Sequence, residues 1–308
     1  MRGTETLTVG AVMHTDNLKR GALYLIASGL LFACSGAMVK VASARLPNEM
    51  VVFFRSALGL LALSPWLWRR GWGALKTRHP FAHLWRGLCG LGAMYCYFYA
   101  IAHMPLGEAT LLNYASPLFI PFLAFLLLGE GVSRRLWFAI GVGFVGIVLI
   151  LKPGLDLFRP VSLVGLASGL FTAFAMVGIR RLTRSESASR IVFYFSLVCT
   201  VGSAAPLAWA WRTPEPELWA LLILIGAVAS LAQLLLTRAY AHAPAAQVGP
   251  FTYSTVVFAT FIGLVFWGEV PDVYSFLGAV LVVAAGVLTI RYAGSRAAPA
   301  AELPDRMK

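Results

Sequence analysis

Long apolar runs separated by short polar segments make up most of the chain. Each run has about 20 residues, the length that an α-helix needs to cross a hydrocarbon core of about 30 Å. Ten runs are present, near residues 21–39, 50–68, 84–102, 108–128, 134–151, 161–179, 191–211, 217–237, 245–267 and 273–290. The pattern therefore predicts an all-α integral membrane protein with ten transmembrane helices and short loops.

One stretch of the sequence occurs twice. Residues 100–130 and 239–269 align without a gap, with nine identities in 31 positions. The identical pairs are Ala100/Ala239, Ala102/Ala241, His103/His242, Pro105/Pro244, Tyr114/Tyr253, Phe119/Phe258, Phe122/Phe261, Gly129/Gly268 and Glu130/Glu269. Because the duplicated unit contains an odd number of spans, the second copy enters the bilayer upside down. Two inverted five-helix repeats around a central cavity are typical of secondary transporters.

The duplication divides the chain into two halves and two tails. We expect a first five-helix repeat at 19–153 and a second, inverted repeat at 154–293. Residues 1–18 lack the apolar stretch of a cleavable signal peptide. Like residues 294–308, they are expected to form a flexible cytoplasmic tail. The expected oligomeric state is a monomer.

The charged residues predict the orientation of the helices. Only 12% of the residues are charged, yet 25 basic residues against 13 acidic ones give a net charge of +12. With the N-terminus inside, nineteen basic residues fall in inner segments, five in outer segments and Arg55 within the second span. The positive-inside rule then places both termini in the cytoplasm, as in a multi-pass protein of the bacterial inner membrane. No nucleic-acid partner is expected, because no soluble domain carries a basic patch interleaved with aromatics.

The sequence offers few groups for catalysis. Every acidic residue lies in a loop, a tail or a last helical turn, and neither a Ser/His/Asp set nor a metal-ligand cluster is recognisable. The four cysteines lie within apolar spans without zinc spacing. Residues 141–146 match GxGxxG, but they lie inside an apolar span, where close helix packing is the preferred interpretation. We therefore predict no enzyme activity, no cofactor and no metal site.

The fourth and ninth spans carry polar and helix-breaking residues at membrane depth. Pro117 and Pro121 each leave a carbonyl without a helical partner, and Pro250 lies in the corresponding span of the second half. Interrupted helices at matching points of two repeats indicate a transporter's binding site, although kinked helices packed on neighbours give the same pattern. The predicted substrate-binding residues are Tyr95, Tyr99, Asn113, Tyr114, Ser116, Gln233, Thr252 and Tyr253. Such a chamber is neutral and rich in ring faces, and it suits a small zwitterion with an apolar or aromatic side chain; packing within the bundle is the alternative for each tyrosine.

Four further residues are candidates for a charged contact or a gate: Arg55, His103, Arg238 and His242. Arg55 either meets a substrate carboxylate or pairs with Glu49, and Lys40 is expected to extend toward the interface in a structural role. His103 and His242 each stand two residues before a proline at a helix–helix turn. They act either as gate elements or as turn caps.

At these residues the chain resembles the EamA family of the drug/metabolite transporter superfamily, over roughly residues 20–292. The resemblance rests on Lys40, Arg55, 105–109, Pro117, 128–130 and the glycine-rich fifth span in the first half, and on Gly169, 180–181 and 268–269 in the second. It implies two inverted five-helix repeats and alternating access through a cavity formed largely by the third, fourth, eighth and ninth helices. It also implies export of amino acids or related metabolites, and the aromatic content is similar to that of the aromatic amino acid exporter branch. Pro250 and Tyr253 depart from the apolar and small residues common in the family's second copy.

The expected function is export of neutral amino acids, including aromatic ones, and related metabolites by alternating access. The expected partners are this small molecule and the lipid bilayer. A nucleotide-sugar or organophosphate carrier is one alternative, which would require a cluster of cations in the cavity. A small multidrug efflux protein is another, for which a membrane-embedded glutamate is expected. A membrane scaffold without a central cavity is the non-transporting alternative.

Overall fold

The computed structural model describes residues 8–120, 123, 134–151, 159–182, 185–242 and 248–295, and all regular structure within them is helical. The helices are α1 (Thr8–Ser43), α2 (Asn48–Ala62), α3 (Ser64–Arg70), α4 (Pro80–His103), α5 (Leu106–Asn113), α6 (116–120), α7 (Arg134–Leu151), α8 (Val161–Leu182), α9 (Ala188–Ala204), α10 (Leu207–Ala210), α11 (Pro216–His242), α12 (Ser254–Trp267) and α13 (Val273–Ser295). The predicted all-α class is confirmed. α1 begins at Thr8, so part of the predicted N-terminal tail is helical. The outer parts of the two predicted tails, 1–7 and 296–308, lie outside the described residues.

Seven helical segments of the described residues are long and apolar enough to cross a membrane: Lys19–Ser43, Asn48–Arg70, Arg134–Leu151, Val161–Ile179, Pro216–Tyr240, Pro250–Trp267 and Val273–Tyr292. The other three predicted spans differ from these for separate reasons. α4 has 24 residues, but its arginine, glycines and tyrosines lower its mean hydropathy. α5 ends after eight residues, and α9 has 17. The protein is thus a multi-pass membrane protein with seven clear spans, and the count of ten stays a prediction.

The fourth predicted span is interrupted at Pro117, as predicted, whereas Pro121 lies outside the described residues. α5 ends at Asn113, and a two-residue turn separates it from α6. Pro117 has no N–H for the Asn113 carbonyl, so the regular helix ladder ends there. The chain nevertheless stays tightly wound, because the Tyr114 N–H donates to the Thr110 carbonyl at 2.9 Å. The segment after α5 is therefore irregular but still hydrogen-bonded to the last turn of the helix.

The second half has an irregular segment at the equivalent place. A 3₁₀ turn, Gly249–Tyr253, precedes α12, and Pro250 stands in its first positions. Tyr253 ends this turn, while Tyr114 is the residue directly after α5, and these two tyrosines are partners in the sequence repeat. Both halves therefore depart from regular α-helix at matching positions.

The packing of the helices follows the same correspondence between the halves. α4 packs along α8, and its counterpart α11 packs along α1. The contact of α2 with α11 is matched by that of α9 with α4, and the contact of α1 with α12 by that of α8 with α5. Equivalent helices also pack on each other: α7 on α13, α2 on α9 and α5 on α12. Exchanging equivalent helices therefore reproduces the main contacts between the halves.

Glycines bring the backbones of α7 and α13 together. A Cβ added at Gly146 would lie 2.8 Å from the Gly278 carbonyl oxygen, and one added at Gly278 would lie 2.7 Å from the Gly146 carbonyl oxygen. Small residues permit this close approach, which is a main source of helix association in lipid. The predicted packing role of the GxGxxG motif thus holds for Gly146. A Cβ at Gly141 would meet nothing within 4 Å.

A buried carboxylate joins the loop after α3 to the beginning of α9. Thr77 donates a hydrogen bond to Glu186 Oε1 at 2.6 Å, and Arg190 forms an ion pair with Oε2. Arg190 Nε also donates to the Ala74 carbonyl at 2.6 Å. Burial acts to raise the pKa of the Glu186 carboxyl, but the hydrogen bonds from Thr77 and Arg190 outweigh it, and the pKa lies below its ordinary value.

Glu186→Gln is expected to destabilise the protein by about 1–3 kcal/mol at neutral pH, because the charged hydrogen bonds are lost. A depressed carboxyl pKa contributes stability above the ordinary value of 4.5, and this contribution is lost as the pH falls through the lower folded value. The difference between wild type and variant should therefore shrink on acidification. Thermal unfolding of the purified proteins in detergent at pH 7.5 and near pH 4 measures it. A constant difference would contradict the assignment of the effect to the charged form.

Candidate functional site

A cavity of about 220 Å³ lies between the two halves of the molecule. It contains the mixture of polar and aromatic groups that is characteristic of small-molecule sites. The polar lining residues are Ser35, Arg55, Arg86, Tyr97, Asn113, Tyr114, Ser116, Thr172, Gln233, Tyr240 and Thr252. Five predicted binding residues are therefore brought together here, namely Asn113, Tyr114, Ser116, Gln233 and Thr252, with Arg55 from the candidate charges.

Asn113 is fixed at the cavity wall by α8. Its Nδ2 donates to Ser168 Oγ at 3.0 Å and to Thr172 Oγ1 at 3.1 Å. Ser168 in turn donates to the Gly165 carbonyl at 2.6 Å. The last turn of α5 is thus tied to α8, and the Asn113 amide is held in one orientation beside the cavity.

α4 presents a stripe of one face to the cavity. The lining residues of this helix are Arg86, Gly90, Ala93, Met94, Tyr97 and Phe98. Their spacing of three and four residues is that of one helix face. The Tyr97 hydroxyl lies 2.9 Å from Thr110 Oγ1, which donates to the Leu106 carbonyl at 2.7 Å. Tyr97 is therefore the tyrosine of α4 that is positioned to contact a ligand.

The predicted binding residues Tyr95 and Tyr99 lie away from the cavity lining. Tyr99 is 42% exposed, and its ring stacks on His103 with centroids 4.2 Å apart. The Tyr95 carbonyl accepts a hydrogen bond from Asn48 at 3.0 Å, and its side chain packs against the hydrophobic core. Both residues differ from Tyr97 by two positions, which turns them to other sides of the helix. Tyr95 and Tyr99 stand four residues apart and so share a side of the helix, but that side is directed away from the cavity lining.

Tyr253 also stands apart from the lining. It is 4% exposed, and its hydroxyl lies against Gly286 of α13, where any side chain would collide with it. Tyr240 of α11 lines the cavity instead. The repeat partners Tyr114 and Tyr253 therefore have different environments, one at the cavity and one in the core.

Two arginines change the predicted electrostatic character of the chamber. Arg55 of α2 and Arg86 of α4 both line the cavity, so the expectation of a neutral chamber is corrected. Arg55 Nη1 lies 3.6 Å from the Met94 sulfur, and the described contacts do not include an ion pair with Glu49. Arg86 lies six residues after the start of α4 and is 5% exposed, although its place in the sequence favoured an inner-surface charge. The sequence signal for Arg86 was its position: it is a lone arginine at helical spacing from Gly90 and Tyr97, on the same face of α4.

The other three candidates lie outside the cavity lining: His103 and His242 end α4 and α11, and Arg238 is exposed on α11. His103 Nδ1 donates to the Tyr99 carbonyl at 2.8 Å, and His242 Nδ1 donates to the Arg238 carbonyl at 2.8 Å. Each histidine thus bonds the carbonyl four residues earlier, at equivalent places in the repeat. This geometry is that of a cap on the last helical turn, in agreement with the turn-cap alternative.

An ion pair fastens several helix ends together on one face of the bundle. Lys40 pairs with Glu269, which follows α12, and also donates to the Met104 carbonyl at 3.0 Å. The other oxygen of Glu269 accepts the Leu106 N–H at 2.8 Å, at the start of α5. Lys40 thus has a structural role, but it turns toward a carboxylate of the other half instead of toward the interface. Glu269 joins α1, α5 and the end of α12.

The chain matches one known protein family twice, once in each half. The model of the EamA-like transporter family matches residues 19–152 and again residues 159–291. The chain is similar to the pseudopaline exporter CntI of Pseudomonas aeruginosa strain UCBPP-PA14, with 39% identity over 282 residues, 91% of this chain and 99% of the relative. It is also similar to the S-adenosylmethionine uptake transporter of Rickettsia bellii strain RML369-C, with 32% identity over 255 residues, 82% of this chain and 87% of the relative.

One solved crystal structure shares the overall architecture. The superposition has a TM-score of 0.61 at 19% identity and covers 91% of this chain and 99% of the other. At that identity the likeness concerns the fold alone. The family and the named relatives are transporters, which agrees with the prediction that the chain is a membrane transporter.

Proposed function

Since the chain belongs to the EamA-like transporter family, we propose that it is a secondary transporter that exports small amino acid-like metabolites by alternating access. The observation that carries the proposal is the cavity between the two halves, with its amides, hydroxyls and rings at membrane depth. A transporter of this kind binds its substrate near the midplane, between repeats. The 39% identity to an exporter, against 32% to an uptake protein, favours the outward direction.

The proposed architecture is two inverted five-helix repeats, at 19–153 and 154–293. Two successive matches to the family model support these boundaries. The matched irregular segments and the exchangeable helix contacts also favour a two-fold relation. In the proposed cycle one repeat rocks against the other, and the cavity opens first to one side and then to the other.

We assign the face with the Lys40–Glu269 pair to the outside, from the positive-inside distribution of the charges. The ends of α1, α4 and α12 and the start of α5 meet there. The cavity extends in the opposite direction, toward Ile179, Tyr240 and Ile290 near the far ends of α8, α11 and α13. The proposed state is therefore closed outside and directed toward the cytoplasm, the compartment from which an exporter loads, in an inner membrane with both termini inside.

The polar groups indicate how the substrate is held. Asn113 lines the cavity from the first half and Gln233 from the second. The Asn113 amide hydrogens are bonded to α8, so Asn113 offers its oxygen as an acceptor, while the Gln233 amide is a donor and acceptor group. Tyr97 and Phe98 add ring faces that suit an apolar or aromatic side chain. Neutral amino acids, aromatic ones included, are the substrates predicted from the sequence. The two arginines favour substrates that also carry negative charge.

Transport by reconstituted vesicles tests the proposal. Proteoliposomes with the purified protein are loaded with each labelled amino acid in turn, and efflux is compared with that from empty vesicles. We expect efflux above background for at least one compound. Background efflux for all of them, by protein that remains folded, would contradict amino acid transport.

Tyr97→Phe and Tyr99→Phe form a matched pair on one helix. Tyr97→Phe is expected to lower the efflux rate several-fold, because a hydroxyl is removed from the cavity wall and Thr110 loses its partner. Tyr99→Phe should leave the rate unchanged, since its ring lies on the exposed side of α4. The rates are measured at equal amounts of reconstituted protein. The opposite order would place the substrate on the other face of α4.

A further inference from the structure

The two cavity arginines have no counter-ion among the residues that the structure describes. No described carboxylate lies within 4.0 Å of either guanidinium. Arg86 Nε is buried and has no hydrogen-bond partner, while the Arg55 contact is to a weakly accepting sulfur. An unpaired charge at membrane depth is unfavourable for the ligand-free protein and by default marks a functional site.

Both guanidinium groups are held beside one aromatic ring. The Arg86 guanidinium carbon lies 4.0 Å from the Phe195 ring centroid, and that of Arg55 lies 5.6 Å from it. The two cationic groups are therefore no farther apart than the sum of these distances. Phe195 itself lines the cavity. Contacts with the ring face partly offset the positive charge, but a ring cannot neutralise two cations that also repel each other.

The rest of the described lining adds no charge of either sign. Aspartate, glutamate and lysine are absent from it, and the polar groups near the arginines are neutral. The site therefore presents two fixed positive groups in a cavity of about 220 Å³. A ligand with a single carboxylate would leave one of the two positive charges unbalanced.

We propose that the cavity binds a small amino acid-like metabolite with two or more carboxylates, one held by Arg55 and another by Arg86. This inference rests on the proposed export function and narrows its substrate class. Guanidinium groups match carboxylates with two parallel hydrogen bonds, which gives both affinity and orientation. The amides of Asn113 and Gln233 then hold the remaining polar groups of the ligand. Guanidinium groups also bind phosphate, so a phosphate ester is the competing anionic ligand that the binding experiment includes.

Paired ligands test the requirement for a second carboxylate. Purified full-length protein in detergent is titrated with L-glutamate and L-glutamine, and with N-carboxymethyl-L-phenylalanine and L-phenylalanine; glucose 6-phosphate provides the phosphate arm. For at least one pair, the dicarboxylate is expected to bind about tenfold or more tightly than its partner. Equal affinities within both pairs, or tighter binding of glucose 6-phosphate, would overturn the proposal.

Variants connect the preference to the arginines. Arg55→Gln and Arg86→Gln are expected to reduce the affinity ratio within a pair to about one, whereas Arg45→Gln, at an exposed arginine paired with Glu215, should leave it unchanged. The unfolding temperature of the ligand-free Gln variants should stay the same or rise, since the removed charge had no partner. A lower unfolding temperature with the preference retained would indicate a structural role and overturn the assignment.

Two further outcomes keep this inference separate from the transport proposal. If a Gln variant does not fold, Arg55→Lys and Arg86→Lys retain the charge without the bidentate fork, and a several-fold smaller ratio is expected. If vesicles export a monocarboxylate amino acid while no pair shows a dicarboxylate preference, the transport function stands and the two-carboxylate site is refuted.

Discussion

Gly146→Leu is expected to lower the unfolding temperature of the purified protein by several degrees or to prevent its folding. The new side chain would point at the backbone of α13, where even a Cβ at this position would lie 2.8 Å from the Gly278 carbonyl oxygen. Because the obstacle is main chain, a rotamer change cannot relieve the clash, and α7 and α13 must separate. Overpacking of this kind typically costs about 1–3 kcal/mol or more. Thermal unfolding in detergent measures the effect.

Gly141→Leu is the matched control for this substitution. It makes the same chemical change five residues earlier in α7, where an added Cβ meets nothing within 4 Å. Both positions lie in one apolar helix, so the change in helix propensity is the same for the two variants. We expect Gly141→Leu to unfold at or above the wild-type temperature. Equal losses at the two sites would show that the α7–α13 contact is not the cause.

Lys40→Met is expected to destabilise the protein by up to about 3 kcal/mol, because it leaves the mostly buried Glu269 carboxylate without its cation. Both side chains are 15% exposed, so water replaces the lost partner only in part. Glu269 keeps the Leu106 N–H, but the connection to α1 is removed. The unfolding temperature reports the loss, and cysteine accessibility at the end of α1 reports whether this face has opened.

A double-mutant cycle isolates the contribution of the pair. Lys40→Met combined with Glu269→Gln should be less destabilising than the sum of the single changes, since neither charge is then left unpaired. Arg45→Gln is the control, because Arg45 and Glu215 form an exposed pair with side chains 55% and 66% exposed. Such a pair contributes about 0–1 kcal/mol. Additive effects at Lys40 and Glu269 would mean that the two residues stabilise the protein independently.

The sequence predicted the part of the site that depends on local chemistry. Pro117 and Pro250 interrupt regular helix by removing backbone donors, and the polar residues beside these interruptions include Asn113 and Thr252, which line the cavity. Gln233 was identified because a lone amide in an apolar span needs a polar environment. The membrane class and the family followed from patterns that extend over the whole chain.

The rotation of α4 was beyond prediction from the sequence. Apolar, small and aromatic residues occur on all sides of this helix, so periodicity does not select the face that meets the cavity. Tyr95 and Tyr99 were favoured for their spacing, whereas contacts with α8 and α9 set the rotation and direct Tyr97 inward. Arg86 is one of the nineteen basic residues counted in the inner segments, and only the tertiary structure shows that its side chain is buried.

The Lys40–Glu269 pair shows a second limit. The two residues are 229 positions apart, and each one alone looks like a charge at the end of a span. Their contact depends on how the two halves pack together, and local sequence patterns carry no information about that packing. The sequence repeat shows which residues of the two halves are equivalent, but it does not show which residues of one half contact the other half.

The surface of α7 that lies outside its glycine contact with α13 has a practical use in spectroscopy. Among the described residues, α7 contributes no side chain to the cavity wall. Phe138, Val145 and Val148 are exposed on the outer surface of this helix, away from Gly146. A nitroxide attached at Val145 would therefore report on α7 from the lipid without touching the substrate. Paired with a second nitroxide on α12, it would supply an interspin distance with which to follow the two halves during turnover.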